Sequence, residues 1–334
     1  MKFIKNLLCF IIVLIMVISL FSGCSKSDLI TIRLNEVVRS IFYTPHYVAI
    51  NKGFFEEEGI KIDLTTGQGA DKTMTALLAG ECDIGFAGPE ACIYVYNQGK
   101  EDYAVIFAQL TKCDGSFLVA REPDPNFDWK KTAGKTIIGG RPGGVPQMTL
   151  EYILKKNGVI PGEDVEMITN LQFTATAGAF KGGVGDYVAL FEPTASMLEL
   201  ENAGSIVASI GEDSGLIAYT AYFAKKSYIE KNPDIIQRFT NAIYKGQLWV
   251  QNNKAEDIAK EIKSFFPDAD DEILVRVINR YKEIDAWNNT PISIPESFDL
   301  LQEVMETAGE LDKRVDHSIL CDDRFAKEAV KNIK

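Results

Sequence analysis

Two glutamates stand where their charge must decide what the chain can hold. In the stretch CDIGFAGPEACIYVYNQG, residues 82–99, a strand-like run (Ile84, Gly85, Phe86) gives way to Ala87 and Gly88. Pro89 then opens a predicted helix whose first turn carries Glu90. Proline suits that first position, where an N–H would go unpaired in any case. The free N–H groups of a helix start attract anions, so a resident carboxylate there points to a ligand that donates hydrogen bonds or carries positive charge. Glu192 is placed in a similar way, at the end of the strand-like YVALFEPTA. Two acids facing one cleft disfavour a buried anion by roughly several kcal/mol. They suit a ligand that donates N–H groups to a carboxylate or pairs with it through a protonated nitrogen. Each acid also has a plainer role open to it: Glu90 as a helix-dipole or capping group, Glu192 in a surface or hinge salt bridge.

Around these acids lie other candidate ligand-binding groups. Phe42, Tyr43 and Tyr47 flank one loop and could stack on a flat ring, although each alone is equally a core residue. His46 could hydrogen-bond the same ring or cap its own helix. Gln68, Gln109 and Gln172 are amide partners from other loops. Gly67, Gly69, Gly88, Gly143 and Gly144 let the backbone approach a ligand closely, or serve as turn residues. Val145 follows Gly144 at the start of a predicted helix. Arg141, in GGRPGG, pulls toward an anion, a phosphate or carboxylate carried by a heterocycle, or a surface ion pair.

Enzymatic signatures are missing. His46 and His317 are the two histidines, too few for a zinc-type cluster. GGRPGG lacks the Gly-Lys-Ser/Thr ending of a P-loop, and GGVGDY is not a strand-led dinucleotide fingerprint. No nucleophile elbow or triad can be assigned. The expectation is a binding protein with no cofactor and no catalytic residues.

The elements that must position these groups alternate strand and helix. TIRLNEV, IKIDLTT and CDIGFA read as strands, separated by helical PHYVAINKGFFEEEG and DKTMTALLAG, and a second set begins at Phe117. That alternation predicts α/β architecture with largely parallel sheets, whose ligands collect in loops beyond the carboxyl ends of the strands. Four such loops are readable, Ser40–His46, Gly67–Asp71, Ala87–Glu90 and Gly139–Val145. Toward the C-terminus the chain turns helical. Ile236, Phe239, Ile243, Gly246 and Val250 form a core-facing stripe, with Asn232-Pro233 as cap and first turn.

The chain of 334 residues exceeds one core's usual size, so two domains are expected. Met1–Lys5 is basic, Leu7–Phe21 is an apolar run of about fifteen residues, short of the roughly twenty that span a bilayer, and residues 1–23 read as a signal peptide. Losing Lys2 and Lys5, with no acid, takes the formal charge from −12 to −14. Such a surface repels nucleic acid. Cys82, Cys92, Cys113 and Cys321 are irregularly spaced and read as free thiols rather than staples.

YTPHYVAINKGFFEEEGIKIDL, TALLAGECDIGFAG, GKTIIGG and YFAKKSYIEKNPDIIQRFTNAI, in that order, resemble the landmarks of solute-binding proteins of bacterial ABC importers, in the branch of sulfonate, nitrate and thiamine-pyrimidine-precursor binders. The resemblance implies a periplasmic-binding-protein type II fold, α/β and two-lobed, with a helical C-terminal segment. Lobe 1 would comprise residues 30–112 and 222–334, lobe 2 residues 117–216, with hinge crossovers near Thr111–Phe117 and Leu216–Tyr222. LFSGC resembles a lipobox with Phe21 in place of the usual leucine, which implies acylation of Cys24, residues 24–29 as a tether, and a place on the outer face of the cell membrane. The implied partners are a small-molecule ligand, an ABC permease and its cytoplasmic ATPase, with the binding protein itself a monomer. The acids favour a nitrogen-containing heterocycle such as a thiamine pyrimidine precursor. Sulfonate, taurine or nitrate is the alternative, and a pyrimidine-synthase-like enzyme or a ligand sensor the alternative of another class.

Overall fold

The structure is a computed structural model that describes residues 29–334, so the expected signal peptide, the expected acylation site Cys24 and the expected tether up to residue 28 lie outside the described residues. Ten strands form two sheets: β1 (Ile30–Glu36), β2 (Ile60–Thr66), β3 (Ile84–Ala87), β4 (Ala104–Thr111), β5 (Ser116–Ala120), β6 (Thr136–Ile138), β7 (Glu166–Ile168), β8 (Tyr187–Phe191), β9 (Ser205–Ser209) and β10 (Thr220–Lys225). The first sheet has the order β2-β1-β3-β10-β4, the second β7-β6-β8-β5-β9.

In each sheet one strand runs against its neighbours. β10 is antiparallel to β3 and β4, and β5 is antiparallel to β8 and β9. These two are the strands that have just crossed from the other sheet. The chain leaves β4 at Thr111 and enters β5 at Ser116, then returns through residues 215–219 into β10. All other strands are parallel within their sheet, so the loops at their carboxyl ends gather on one side.

Burial follows composition. β3 (IGFA) and β4 (AVIFAQLT) are apolar throughout and buried along their whole length, as strands covered on both faces must be. β2, at the sheet edge, alternates exposed and covered residues. One apolar core runs through the first sheet and across the cleft side of the second. A smaller one, built on Leu118, Trp129, Ile137 and Leu150, lies on the far side of the second sheet.

The predicted stripe on the helix Pro233–Asn252 is buried at every position, against the helix Thr44–Asn51 among others. A Cβ at Gly246 would come within 2.4 Å of the Pro45 carbonyl, so the close helix approach requires glycine there. Asn232 does not cap this helix. Its amide instead donates back to Tyr228 O at 3.0 Å, closing the preceding helix. The C-terminal helices also touch the second lobe: Arg280 reaches Glu192 and Glu199, and Tyr152 Oη donates to Glu303 at 3.0 Å. Among the described residues no helix is long and apolar enough to cross a membrane, and Cys82, Cys92, Cys113 and Cys321 are free thiols.

Candidate functional site

The loops that follow the parallel strands of both sheets converge on a cavity of about 330 Å³. From the first sheet come Val37 and Val38 after β1, Gln68 to Ala70 after β2, and Gly88 and Glu90 after β3. The second supplies Gly139 to Arg141 and Gly144 to Pro146 after β6, Thr169 to Thr174 after β7, and Phe191 at the end of β8. The two antiparallel strands turn their opposite ends to the same space, bringing Ser116, Tyr219 and Thr220. A pocket of this size encloses one small organic molecule.

Glu90 is the buried carboxyl of the wall, 3% exposed. Burial pushes it up to about 7, opposed by its own N–H, by Arg141, and by the N–H groups of Ala91 and Val145. Val145 belongs to the helix Val145–Lys156 of the other lobe, so the acid of one helix start faces the start of a second across the cleft. Its Oε2 has no hydrogen-bond partner. Near neutral pH such a carboxyl can either donate or accept. A Cβ at Gly88 would lie 2.0 Å from Glu90 Oε2, so glycine keeps room for the carboxyl.

Gln68 lines the cavity with φ of 66°, a left-handed conformation that few residues other than glycine adopt. Gly67 does not line the cavity. It packs behind the loop, where a Cβ would meet Thr73 Oγ1 at 2.5 Å and Asn35 Oδ1 at 2.6 Å. Arg141 stands at the mouth, about half exposed, with Nη2 3.3 Å from Asp71 Oδ1.

Tyr43 lines the cavity and rests edge-on against Phe86, 4.7 Å between ring centroids. Phe42 does not line it. It is fully buried behind the wall, in contact with Tyr43, Phe191, Tyr219 and Tyr281, and so it props up three aromatic rings that do. His46 is likewise behind: its Nδ1 is 3.0 Å from Tyr222 Oη, its ring stacks on Phe86, and burial lowers it to about 3, so it is a neutral core group. Gln109 ties β4 to the C-terminal segment, donating to Thr111 O and accepting from Ile294 N, both at 3.0 Å.

Glu192 corrects the expectation of two acids in one cleft. It is 2% exposed and turned away from the cavity, accepting from Arg280 at 2.5 Å, from Ser196 Oγ at 2.9 Å and from Ser196 N at 2.8 Å. Neighbouring strand residues point to opposite faces, and it is Phe191 that faces inward. Gly144 and Val145 do line the wall, as do Gln172 and Arg141. Val37, Val38, Ser116, Phe173, Phe191, Tyr219 and Thr220 are among the other lining residues and were not anticipated. Strand alternation lets only one of Phe191 and Glu192 face the cleft, and the crossover residues carry no local signal.

Residues 41–256 match the family model described as NMT1/THI5 like. The chain belongs to the NMT1/THI5-like family. It is 45% identical over 308 residues to the "Putative binding protein YtlA" of Bacillus subtilis (strain 168), covering 92% of each protein. Among solved structures it is similar to the alkanesulfonate-binding protein SsuA from Xanthomonas axonopodis pv. citri bound to MOPS, with a TM-score of 0.70 at 16% identity over 89% of this chain and 99% of that one. It is also similar to the periplasmic nitrate-binding protein NrtA from Synechocystis PCC 6803, with a TM-score of 0.71 at 16% identity over 92% and 90%. This NMT1/THI5-like protein therefore has the type II periplasmic-binding-protein fold. At these identities the two structures establish the fold alone.

Proposed function

We propose that this NMT1/THI5-like protein is the extracytoplasmic substrate-binding component of an ABC importer, capturing a nitrogen-containing heterocycle such as a thiamine pyrimidine precursor between its lobes. The observation that carries this reading is Glu90: a buried carboxyl, one oxygen unpartnered, on the wall of a ring-sized cavity lined by Tyr43, Phe191 and Tyr219. Such a group accepts from an exocyclic amine and pairs with a ring nitrogen, while the aromatics supply flat apolar surface. The similarity to SsuA and NrtA, an alkanesulfonate-binding and a nitrate-binding protein, and to the "Putative binding protein YtlA" supports the capture role.

A ligand touching both lobes stabilises the closed form by its extra contacts there, and the closed shape is what a permease and its ATPase would recognise. The proposed protein is a monomer, held to the extracytoplasmic face of the cell membrane through acylated Cys24. Intact-mass measurement of the membrane fraction, with and without Cys24→Ser, tests the anchor.

Arg141 supports a second reading, in which the ligand is an oxyanion such as a sulfonate or nitrate held at the cavity mouth. A thermal-shift panel of aminopyrimidines, alkanesulfonates, taurine and nitrate separates the two, since a ligand of the folded state raises the melting temperature. The heterocycle reading expects stabilisation by aminopyrimidines that is lost in Glu90→Gln. Tight sulfonate binding unchanged by Glu90→Gln overturns it.

A further inference from the structure

Where the two crossovers meet, two buried polar atoms, Asp114 Oδ2 and the Tyr219 hydroxyl oxygen, have no hydrogen-bond partner. Asp114 lies on the outgoing crossover, between β4 and β5, and is wholly buried. Its Oδ1 accepts from Ser116 N at 2.7 Å and from Ser116 Oγ at 2.5 Å, whereas Oδ2 has no partner. Tyr219 lies on the returning crossover, immediately before β10, and is 4% exposed on the cavity wall. Its hydroxyl also lacks a partner. The two side chains are neighbours: burial raises the Asp114 carboxyl to about 6, opposed first by Ser116 and then by the tyrosine hydroxyl, although no hydrogen bond is formed between the pair. An unmade hydrogen bond at a buried donor and acceptor costs roughly 1–3 kcal/mol, a standing penalty that a bound ligand can relieve.

Packing fixes the tyrosine ring. Phe42 meets it edge-on at 5.7 Å and Phe191 flanks it at 6.3 Å. Ser116, which also lines the cavity, uses both its N–H and its hydroxyl to hold Asp114. The oxygen left to face Tyr219 can only accept while the carboxyl is ionised.

We propose that Tyr219 is a ligand-contacting, specificity-determining residue, its proton directed to Asp114 Oδ2 and its oxygen accepting from an N–H of the ligand. Asp114 is its positioning residue. The inference rests on the cavity being the ligand site and deepens it: with Glu90 and an accepting tyrosine both on its wall, the site selects a molecule that donates two hydrogen bonds. An alkanesulfonate or nitrate, which brings only acceptors, leaves Tyr219 without a match. Because the pair joins two separate crossovers, the contact also ties ligand occupancy to the angle between the lobes.

Calorimetric titration of the purified protein with the hydroxymethyl-aminopyrimidine precursor of thiamine, and separately with ethanesulfonate, tests this. Tyr219→Phe is expected to weaken aminopyrimidine binding by roughly tenfold while leaving the melting temperature of the free protein unchanged or raised, since it removes an unpartnered hydroxyl. Asp114→Asn, which can donate to the tyrosine oxygen, is expected to shrink the preference for aminopyrimidine over ethanesulfonate by roughly tenfold. Wild-type affinity and preference in both variants, with binding lost in Glu90→Gln, overturns the role of Tyr219 and leaves the cavity reading standing. Failure of the wild-type protein to bind the aminopyrimidine overturns both.

Discussion

Arg141 Nη2 lies 3.3 Å from Asp71 Oδ1, joining the loop after β6 to the first turn of the helix Ala70–Ala79 across the cavity mouth. Beside it Tyr94 Oη donates to Gly143 O at 3.1 Å, again from one lobe to the other. These two contacts bridge the lobes directly. Both partners of the ion pair are about half exposed, so it contributes at most ~1 kcal/mol. Arg141→Ala is expected to reduce the closed-to-open ratio by roughly two- to fivefold, with the difference from wild type fading at high salt. Energy transfer between dyes placed on the two lobes measures this directly; identical distance distributions would show that the pair does not latch the cleft.

Glu90 makes stability depend on pH in a definite direction. Its proton is held at about 7 in the folded protein against 4.5 ordinarily. The stability it contributes is therefore fully present below about 4.5 and lost as pH rises through about 7, a loss of about 3 kcal/mol. Arg141 is the cation facing it. Tyr43, Tyr94, Tyr219 and Cys92 also feel its charge and are themselves raised by burial, so they stay neutral in this range. Glu90→Gln is neutral at every pH and should match wild type near pH 4 and exceed it by about that amount near pH 8. Denaturant titrations at both pH values check this, and parallel curves for the two proteins would contradict it.

Gly88 offers a test that leaves the acid in place. A methyl group there would sit 2.0 Å from Glu90 Oε2, at the free end of a flexible side chain. The carboxyl can swing aside, so Gly88→Ala is expected to fold with a modest loss of stability, about 1 kcal/mol. Aminopyrimidine binding should fall at least roughly tenfold, because the displaced oxygen is the one meant for the ligand. Crystallography of the variant would show the carboxyl moved. A Glu90 in its original place with affinity retained would mean that the unpartnered oxygen plays no part.

What the sequence makes legible is the order of elements and the loops that face the cleft, since both follow from chain direction in a parallel sheet. Tyr43, Gln68, Gly88, Glu90, Gly144 and Val145 come from those four loops and line one cavity. Side-chain direction is not legible in the same way. Phe42 and Tyr43 are adjacent, yet one props and the other lines; Phe191 and Glu192 divide likewise, as strand alternation requires. His46 and Gln109 are polar types whose partners, Tyr222 and Ile294, are distant in sequence. Asp114 and Tyr219 are likewise far apart in sequence, and only the second crossover brings them together.

Glu192 shows what an acid does when it faces the frame instead of the ligand. Three hydrogen bonds hold its carboxylate, two from Ser196 at the start of the helix Thr194–Leu200 and one from Arg280 of the helix Asp271–Glu283. Its backbone N–H donates to Tyr281 Oη, which in turn donates to Gly115 O at 3.0 Å on the outgoing crossover. This residue thus pins the C-terminal helices to the second lobe. Glu192→Ala strands Arg280 beside Glu199 alone and frees the Ser196 N–H, at a cost of about 3 kcal/mol, the low end for a broken buried pair. Ligand affinity, measured where the variant is still folded, should stay within roughly twofold of wild type, opposite to the expectation for Glu90→Gln. Denaturant midpoints and titration calorimetry on the same preparation separate the two effects; an affinity loss without a stability loss would return Glu192 to the binding site.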